Sequence, residues 1–356
     1  MTMTIETDIL PRYDIARDYR WNYDHAPEPV DIEVPAMAGE WSFLGRKVGS
    51  PLGMPAGPLL NGKWILYYAS LGFDVLTYKT VRSSYRECYP LPNLLPVRTG
   101  QLEGGERELE AAARMGGSWA VSFGMPSMQP DVWRRDIEWT RARLRSDQVL
   151  SVSVVGTAQP GWTIDELADD YALCARWAVE SGADCIETNF SCPNVCSRDG
   201  QLYQEPTPAG IVAQRVREAI GTTPYILKIG HFTDRESASQ LLKSVAPYVD
   251  GLAMTNSVAA TVRDAAGNVL FDGQKRGICG DATRQASVTQ VRMFAQIMEE
   301  WGRPLALIGV GGASTAEHVE EYLDAGAESV HIATAAMLDP LVGRRIRAAL
   351  AGDCRS

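Results

Sequence analysis

Eight short apolar runs, most of them followed by a longer stretch of helical period, constrain this chain more than any other feature. They are GFDVLTYKTV, WAVSFGM, VLSVSVVGT, DCIETNFS, YILKIG, DGLAMTNS, LALIGVGG and SVHIATAA. These runs do not alternate apolar with polar residues, so both faces need cover, which is the requirement of a parallel sheet. Segments 129–146, 163–182, 207–220, 232–248, 284–301 and 315–326 carry the helical period that supplies the cover. Eight strands are the number that closes a barrel, so the fold class predicted is α/β, a (β/α)8 TIM barrel over residues 41–350, with WSFLGRKVGSPLG as a hairpin at its start. A doubly wound open sheet is the alternative. Residues 1–40 are polar, aromatic and proline-bearing, and predict an N-terminal extension. Trp21, Tyr19 and Tyr23 are costly to leave in water, which argues for an arm packed on the barrel or on a neighbouring subunit over a frayed leader.

Charge and cysteine usage remove several functions. With 34 Lys+Arg against 44 Asp+Glu the net charge is -10, which disfavours nucleic acid and anionic membrane as partners. The seven cysteines are odd in number and lack C-x-x-C spacing, so neither a secreted disulfide framework nor a zinc ribbon is expected and a cytoplasmic location is. The N-terminus is acidic where an export signal is basic, and no run of 18 apolar residues predicts a membrane span. His25, His231, His318 and His331 share no metal-ligand spacing, so no metal is expected. There is no G-x-G-x-x-G after the first strand and no P-loop.

In a (β/α)8 barrel chemistry sits where strands end. That rule selects Lys79 and Thr80, Ser122, Asn189 with Ser191 to Asn194, Lys228, Asn256 with Ser257, Gly311 with Gly312, and Thr334. GVGGAST (309–315) and HIATAAM (331–337) follow the last two strands, where barrels often bind phosphate, and the glycines allow main-chain N–H groups to approach an anion. Lys79 and Lys228 each end an apolar run and need an anionic or electron-rich partner. With a phosphate loop they suit FMN, whose ring gains negative charge near N1 and O2 on reduction. In ETNFSCPNVCSRDG (187–200), Cys192 stands in a turn between two asparagines, open to roles as nucleophile, general base or inert small residue. Asparagines can hold a cyclic amide while a sulfur removes a proton.

The set N-x-S-C-P-N (189–194), Lys79-Thr80, Lys228, Thr255-Asn256-Ser257, Gly277-Ile278-Cys279-Gly280, Gly309-Val310-Gly311-Gly312 and Ala333-Thr334, in that order, resembles the dihydroorotate dehydrogenase family, and also the flavin domain of dihydropyrimidine dehydrogenase. The likeness covers about residues 45–345. It implies FMN-dependent oxidation of dihydroorotate to orotate in pyrimidine biosynthesis, with Cys192 as the base that takes a proton from C5 while a hydride leaves C6 for flavin N5. A cysteine there implies the soluble class, since the membrane-bound class uses serine. The resemblance further implies that Lys79, Asn189, Asn194, Asn256 and Ser257 bind substrate. Ala56, Gly57, Lys79, Thr80, Asn189, Lys228, Asn256, Gly280, Gly311, Gly312, Ala333 and Thr334 would hold the cofactor. A homodimer is implied, with fumarate, NAD through an electron-transfer partner subunit, or oxygen as acceptor. One position departs from the pattern: Val121 stands where the family carries an asparagine that contacts substrate. That departure supports an alternative, a related FMN enzyme acting on another dihydropyrimidine, cyclic amide or secondary metabolite. Arg82, Arg86 or Arg98, at the loop SSYRECYPLPNLLPVR (83–98), are then available to an acidic substrate. A flavin-binding partner subunit without turnover is the reading from outside the enzymes.

Overall fold

The computed structural model describes residues 10–105, 108–191 and 201–352. Eight parallel strands close a barrel: β1 (Leu52–Met54), β2 (Val75–Val81), β3 (Val149–Val154), β4 (Cys185–Asn189), β5 (Tyr225–Lys228), β6 (Gly251–Met254), β7 (Ala306–Val310) and β8 (Ser329–His331). Helices Gly62–Ser70, Pro130–Arg141, Ile164–Glu180, Pro206–Ile220, Arg235–Val245, Arg284–Trp301, Ala316–Asp324 and Val342–Gly352 surround it. Every residue of β2 through β6 is buried, as strands covered on both faces must be. Leu76, Tyr78, Val152 and Ile186 point outward into the core under the helices. Val75, Val149, Cys185 and Ile226 point inward, where Phe43 and Val48 of the hairpin Trp41–Phe43/Arg46–Val48 join them. Apolar side chains thus plug the end where the strands begin, leaving polar ones for the end where they finish.

The barrel has the expected number of strands but not the expected members. Ser118–Val121, within the run WAVSFGM, is not a barrel strand; it pairs antiparallel with Leu94–Arg98 and Arg276–Gly280. Leu52–Met54, the tail of the segment read as a hairpin, takes its place as β1. The misreading has a physical origin. Trp119 and Val121 lean on the main core while Ala120 packs into a separate small core, so this antiparallel strand is also apolar on both faces. Strands Leu94–Arg98, Glu108–Ala111, Ser118–Val121, Val258–Arg263 and Arg276–Gly280 form a second closed sheet. It is assembled from two insertions, one following β2 and one following β6.

The chain before the barrel lies along it. Trp64 Nε1 donates to the Asn22 carbonyl (3.0 Å), Tyr67 Oη to that of Pro11 (2.6 Å), and Asn61 Nδ2 to that of Tyr23 (2.8 Å). Tyr13 and Tyr19 set their edges against Phe123, at 6.0 and 6.3 Å between centroids. A short helix, Tyr19–Asp24, forms in this segment where no period is visible; Asp18 caps it, accepting from the Trp21 N–H. Among the described residues no helix is long and apolar enough to cross a membrane.

Closure between β8 and β1 requires a glycine. His331 pairs with Gly53, and a Cβ on Gly53 would lie 2.3 Å from the His331 ring and 2.8 Å from the Val75 carbonyl. Gly53→Ala is therefore expected to destabilise the fold by about 1–3 kcal/mol, as overpacking does. Urea denaturation checks this, and an unchanged midpoint would mean that the seam has slack.

Candidate active site

The strand ends gather the polar residues into one mouth. On β2, a register irregularity against β3 falls between Tyr78 and Val81. Thr80, which regular alternation would turn outward with Tyr78, instead meets Ser153 at 3.0 Å inside the barrel. Lys79 is buried beside it, its main chain anchored by an N–H bond to the Leu59 carbonyl (2.9 Å) in the loop after β1. That loop carries Ala56, which is buried, and Gly57, which is exposed and faces open space.

Asn189 ends β4 and Lys228 ends β5, in register with each other. Asn189 Oδ1 accepts from the N–H of Ser191 (3.2 Å), from its hydroxyl (3.3 Å) and from Asn256 Nδ2 (3.4 Å). Asn256 Nδ2 also bonds closely to Ser191 Oγ. Asn189, Ser191 and Asn256 therefore form one amide–hydroxyl cluster reaching from β4 to the loop after β6. Asn189 Nδ2 is 3.5 Å from Met125 Sδ, so the loop after Ser118–Val121 borders the same cluster. Ser257 faces Gly277, where an added Cβ would come within 2.4 Å of its hydroxyl. Val121 is the register partner of Gly277 and so lies on the same face of that sheet as Ser257.

The loop carrying Gly311 and Gly312 lies beside the start of helix Arg284–Trp301. Gly311 and Gly312 have φ of 143° and 68°, in the region glycine favours. A Cβ on Gly312 would meet the Gly280 carbonyl at 2.9 Å, the Asp281 carbonyl at 3.0 Å and Arg284 Cβ at 2.8 Å. Gly280, Gly311 and Gly312 are thus brought together. Ser287 secures the loop after β6 to the end of β7, accepting from the Thr255 N–H (3.1 Å) and donating to the Val310 carbonyl (2.7 Å). Ala333 and buried Thr334 follow β8, with Thr334 opening the short helix Thr334–Leu338. Cys192 and Asn194 lie outside the described residues.

A family model described as dihydroorotate dehydrogenase matches residues 40–352. The chain belongs to the dihydroorotate dehydrogenase family. It is 29% identical over 361 residues to a dihydroorotate dehydrogenase of Dictyostelium discoideum, covering 94% of this chain and 96% of that protein. It is 28% identical over 307 residues to the catalytic subunit of dihydroorotate dehydrogenase B (NAD(+)) of Desulforudis audaxviator, covering 84% of this chain and 87% of the relative. The crystal structure of DHODH from Eimeria tenella in complex with ferulenol shares the fold, with a TM-score of 0.70 at 18% identity over 93% of this chain and 90% of that one. Members of the family are oxidoreductases, and this chain is one.

Several residues near the mouth escape a reading by strand ends. Glu187 sits at an inward position of β4 with its carboxylate 4.0 Å from Lys228 Nζ. Cys279 Sγ is 3.6 Å from the Asn256 carbonyl, and burial pushes its thiol up to about 11 against the opposing pull of Lys228. Buried Thr255 Oγ1 and Arg284 Nε have no hydrogen-bond partner. Arg82 directs Nε to the Met125 carbonyl (3.2 Å) and Nη1 to that of Gly156 (2.8 Å). Arg98 is exposed and 3.5 Å from Glu110. An acid inside an apolar run is the one signal that would have found Glu187.

His331 lies beneath these groups, with neither ring nitrogen hydrogen-bonded. Burial first, and the charge of Lys228 second, hold its pKa down to about 3 from the usual 6.5. The folded ring resists a proton that the unfolded ring accepts, so its stabilising effect is complete above pH 6.5 and is lost as pH falls toward 3. Between pH 7 and pH 5 the wild type should lose about 2 kcal/mol more than His331→Gln. Urea midpoints of both proteins at the two pH values test this, and equal losses would refute it.

Proposed function

We propose that this chain uses FMN to oxidise dihydroorotate, the substrate in its relatives' names, to orotate in pyrimidine biosynthesis. The observation that carries the reading is the convergence of Asn189, Ser191 and Asn256 in one hydrogen-bonded cluster, with Lys228 in register beside it at the barrel mouth. The residues present fit the cofactor. Lys79 and Lys228 are two buried lysines on barrel strands, which supports an anionic ring beside them, and the Thr255 hydroxyl is buried without a hydrogen-bond partner. The loop at Gly311 and Gly312 brings main chain beside Gly280, and Thr334 follows the next strand, which supports a phosphate site after β7 and β8.

FMN, when bound, supplies the hydride acceptor. Cys192, three positions beyond the end of β4, is the residue assigned to take the proton from C5 of the dihydropyrimidine. Asn189, Asn194, Asn256 and Ser257 would hold the ring through its amide groups, each offering both donor and acceptor or a rotatable hydroxyl. Lys79, Thr80 and Lys228 would line the flavin, with Ala56 and Gly57 as its first loop. Gly280, Gly311, Gly312, Ala333 and Thr334 would hold the phosphate. Electrons would leave to fumarate, oxygen or NAD; the last of these, through a partner subunit, draws support from the Desulforudis relative being named as a catalytic subunit. A cytoplasmic homodimer completes the proposal.

Val121 favours a second reading, a related cyclic amide as substrate. Its place on the Ser257 face of the sheet puts an apolar side chain where the family offers an amide. A buried polar substrate group left unpaired there costs about 1–3 kcal/mol.

The purified protein is expected to be yellow and to bleach when dihydroorotate is added without oxygen. Cys192→Ala should keep the flavin while slowing bleaching by about 10²–10⁴-fold. A colourless protein would refute the cofactor, and a yellow one that dihydroorotate leaves unbleached would refute the substrate. Val121→Asn separates the two substrate readings, since a rise in kcat/KM for dihydroorotate of about tenfold or more is expected only under the second.

A further inference from the structure

Glu187 is an anion in an unusual place. It points into the barrel from the middle of β4, its side chain 2% exposed, and stands 4.0 Å from the ammonium of Lys228, itself 5% exposed. The nearer carboxylate oxygen accepts no hydrogen bond, so the contact is Coulombic. A carboxylate withdrawn so far from water is retained only where a cation offsets its lost hydration, and a buried ammonium has the same need in reverse.

The other titratable groups that act on Lys228 offer it no charge. His331, on β8, is held neutral with its pKa near 3, and Cys279, on strand Arg276–Gly280, is held as a thiol with its pKa near 11. Asn189, the register partner on β4, is an amide. Lys79, at the end of β2, is a second cation. Among the described residues, Glu187 is left as the group that balances Lys228.

We propose that Glu187 is a positioning residue for Lys228, balancing its buried ammonium at the barrel mouth so that a full positive charge faces the electron-accepting cofactor. This rests on the FMN reading above. A buried lysine without a counter-charge gives up its proton more readily. Without Glu187, the oxidised protein at high pH would hold a neutral amine. Two electrons entering the flavin would then draw one additional proton from solvent onto Lys228 Nζ. The potential would fall more steeply with pH than in the wild type.

The test is a reductive titration of the full-length flavoprotein with dithionite and redox mediators, from pH 6 to pH 9, in wild type, Glu187→Gln and Glu187→Asp. Glu187→Gln is expected to lie at or above the wild-type midpoint at pH 6 and to drop below it as pH rises. Glu187→Asp should show the same drop beginning at higher pH. A Glu187→Gln profile parallel to the wild type would overturn the proposal. If Glu187→Gln fails to fold or to retain flavin, the Glu187→Asp profile decides in the same way, a parallel course overturning it. A colourless wild type would overturn the FMN reading and this proposal with it, and differs visibly from a yellow wild type whose variants titrate in parallel.

Discussion

The seam between β8 and β1 is the constraint on which the rest of the molecule depends. Each of these strands is three residues long, and they pair through only Val330 with Leu52 and His331 with Gly53. Main-chain bonds from Val330 to Pro51 (2.9 Å) and from Ile332 to Gly53 (2.8 Å), with the Ser329 hydroxyl on the Pro51 carbonyl (2.7 Å), complete it. Closing an eight-stranded sheet fixes strand tilt and stagger together. Only in the closed form do Lys79, Asn189, Lys228 and the loops after β6, β7 and β8 face one another across a single mouth. The imidazole at position 331 occupies the space that a side chain at position 53 would need, so the seam is also where the barrel is filled.

Inside the barrel, polarity is graded along the axis. Phe43 and Val48 cap an apolar floor of strand-start side chains. Above it come Ser151 and Glu187, then Ser153, Lys228 and Asn189, all buried. This gradient places the costly groups near the mouth, where partners of opposite charge or complementary hydrogen bonding can offset their lost hydration. The accessory sheet covers the same end, setting Gly277, Val121 and Cys279 around Asn256 and Ser257.

Most of the barrel was legible in the sequence because parallel strands leave an unbroken apolar signature. The helices from Pro130–Arg141 to Ala316–Asp324 fell where their period placed them. What was not legible depends on contacts distant in the chain. Leu52–Met54 is too short to carry a pattern, and Ser118–Val121 carries the pattern of a barrel strand because two separate cores bury its two faces. The antiparallel partnership of residues from the two insertions has no local signal. Strand ends picked out Lys79, Asn189, Lys228 and Asn256, the polar residues of the mouth, directly. Glu187 was hidden because its run reads as apolar, and the inward turn of Thr80 depends on an irregularity that only the pairing with β3 reveals.

The accessory sheet has one more consequence, for how such a site can change. Loops at the mouth of a barrel ordinarily vary one by one, because each is closed on its own pair of elements. Here Ser118–Val121 and Arg276–Gly280 belong to insertions more than a hundred residues apart, yet they share a ladder from Ser118 with Gly280 to Val121 with Gly277. A length change in either insertion would shift that register, and a slip of one residue turns every side chain on the strand to the other face. The wall over the barrel mouth is therefore inherited as a unit. Change in this wall is expected through side-chain replacement within a fixed ladder, at positions such as Val121, rather than through a change of length in either insertion.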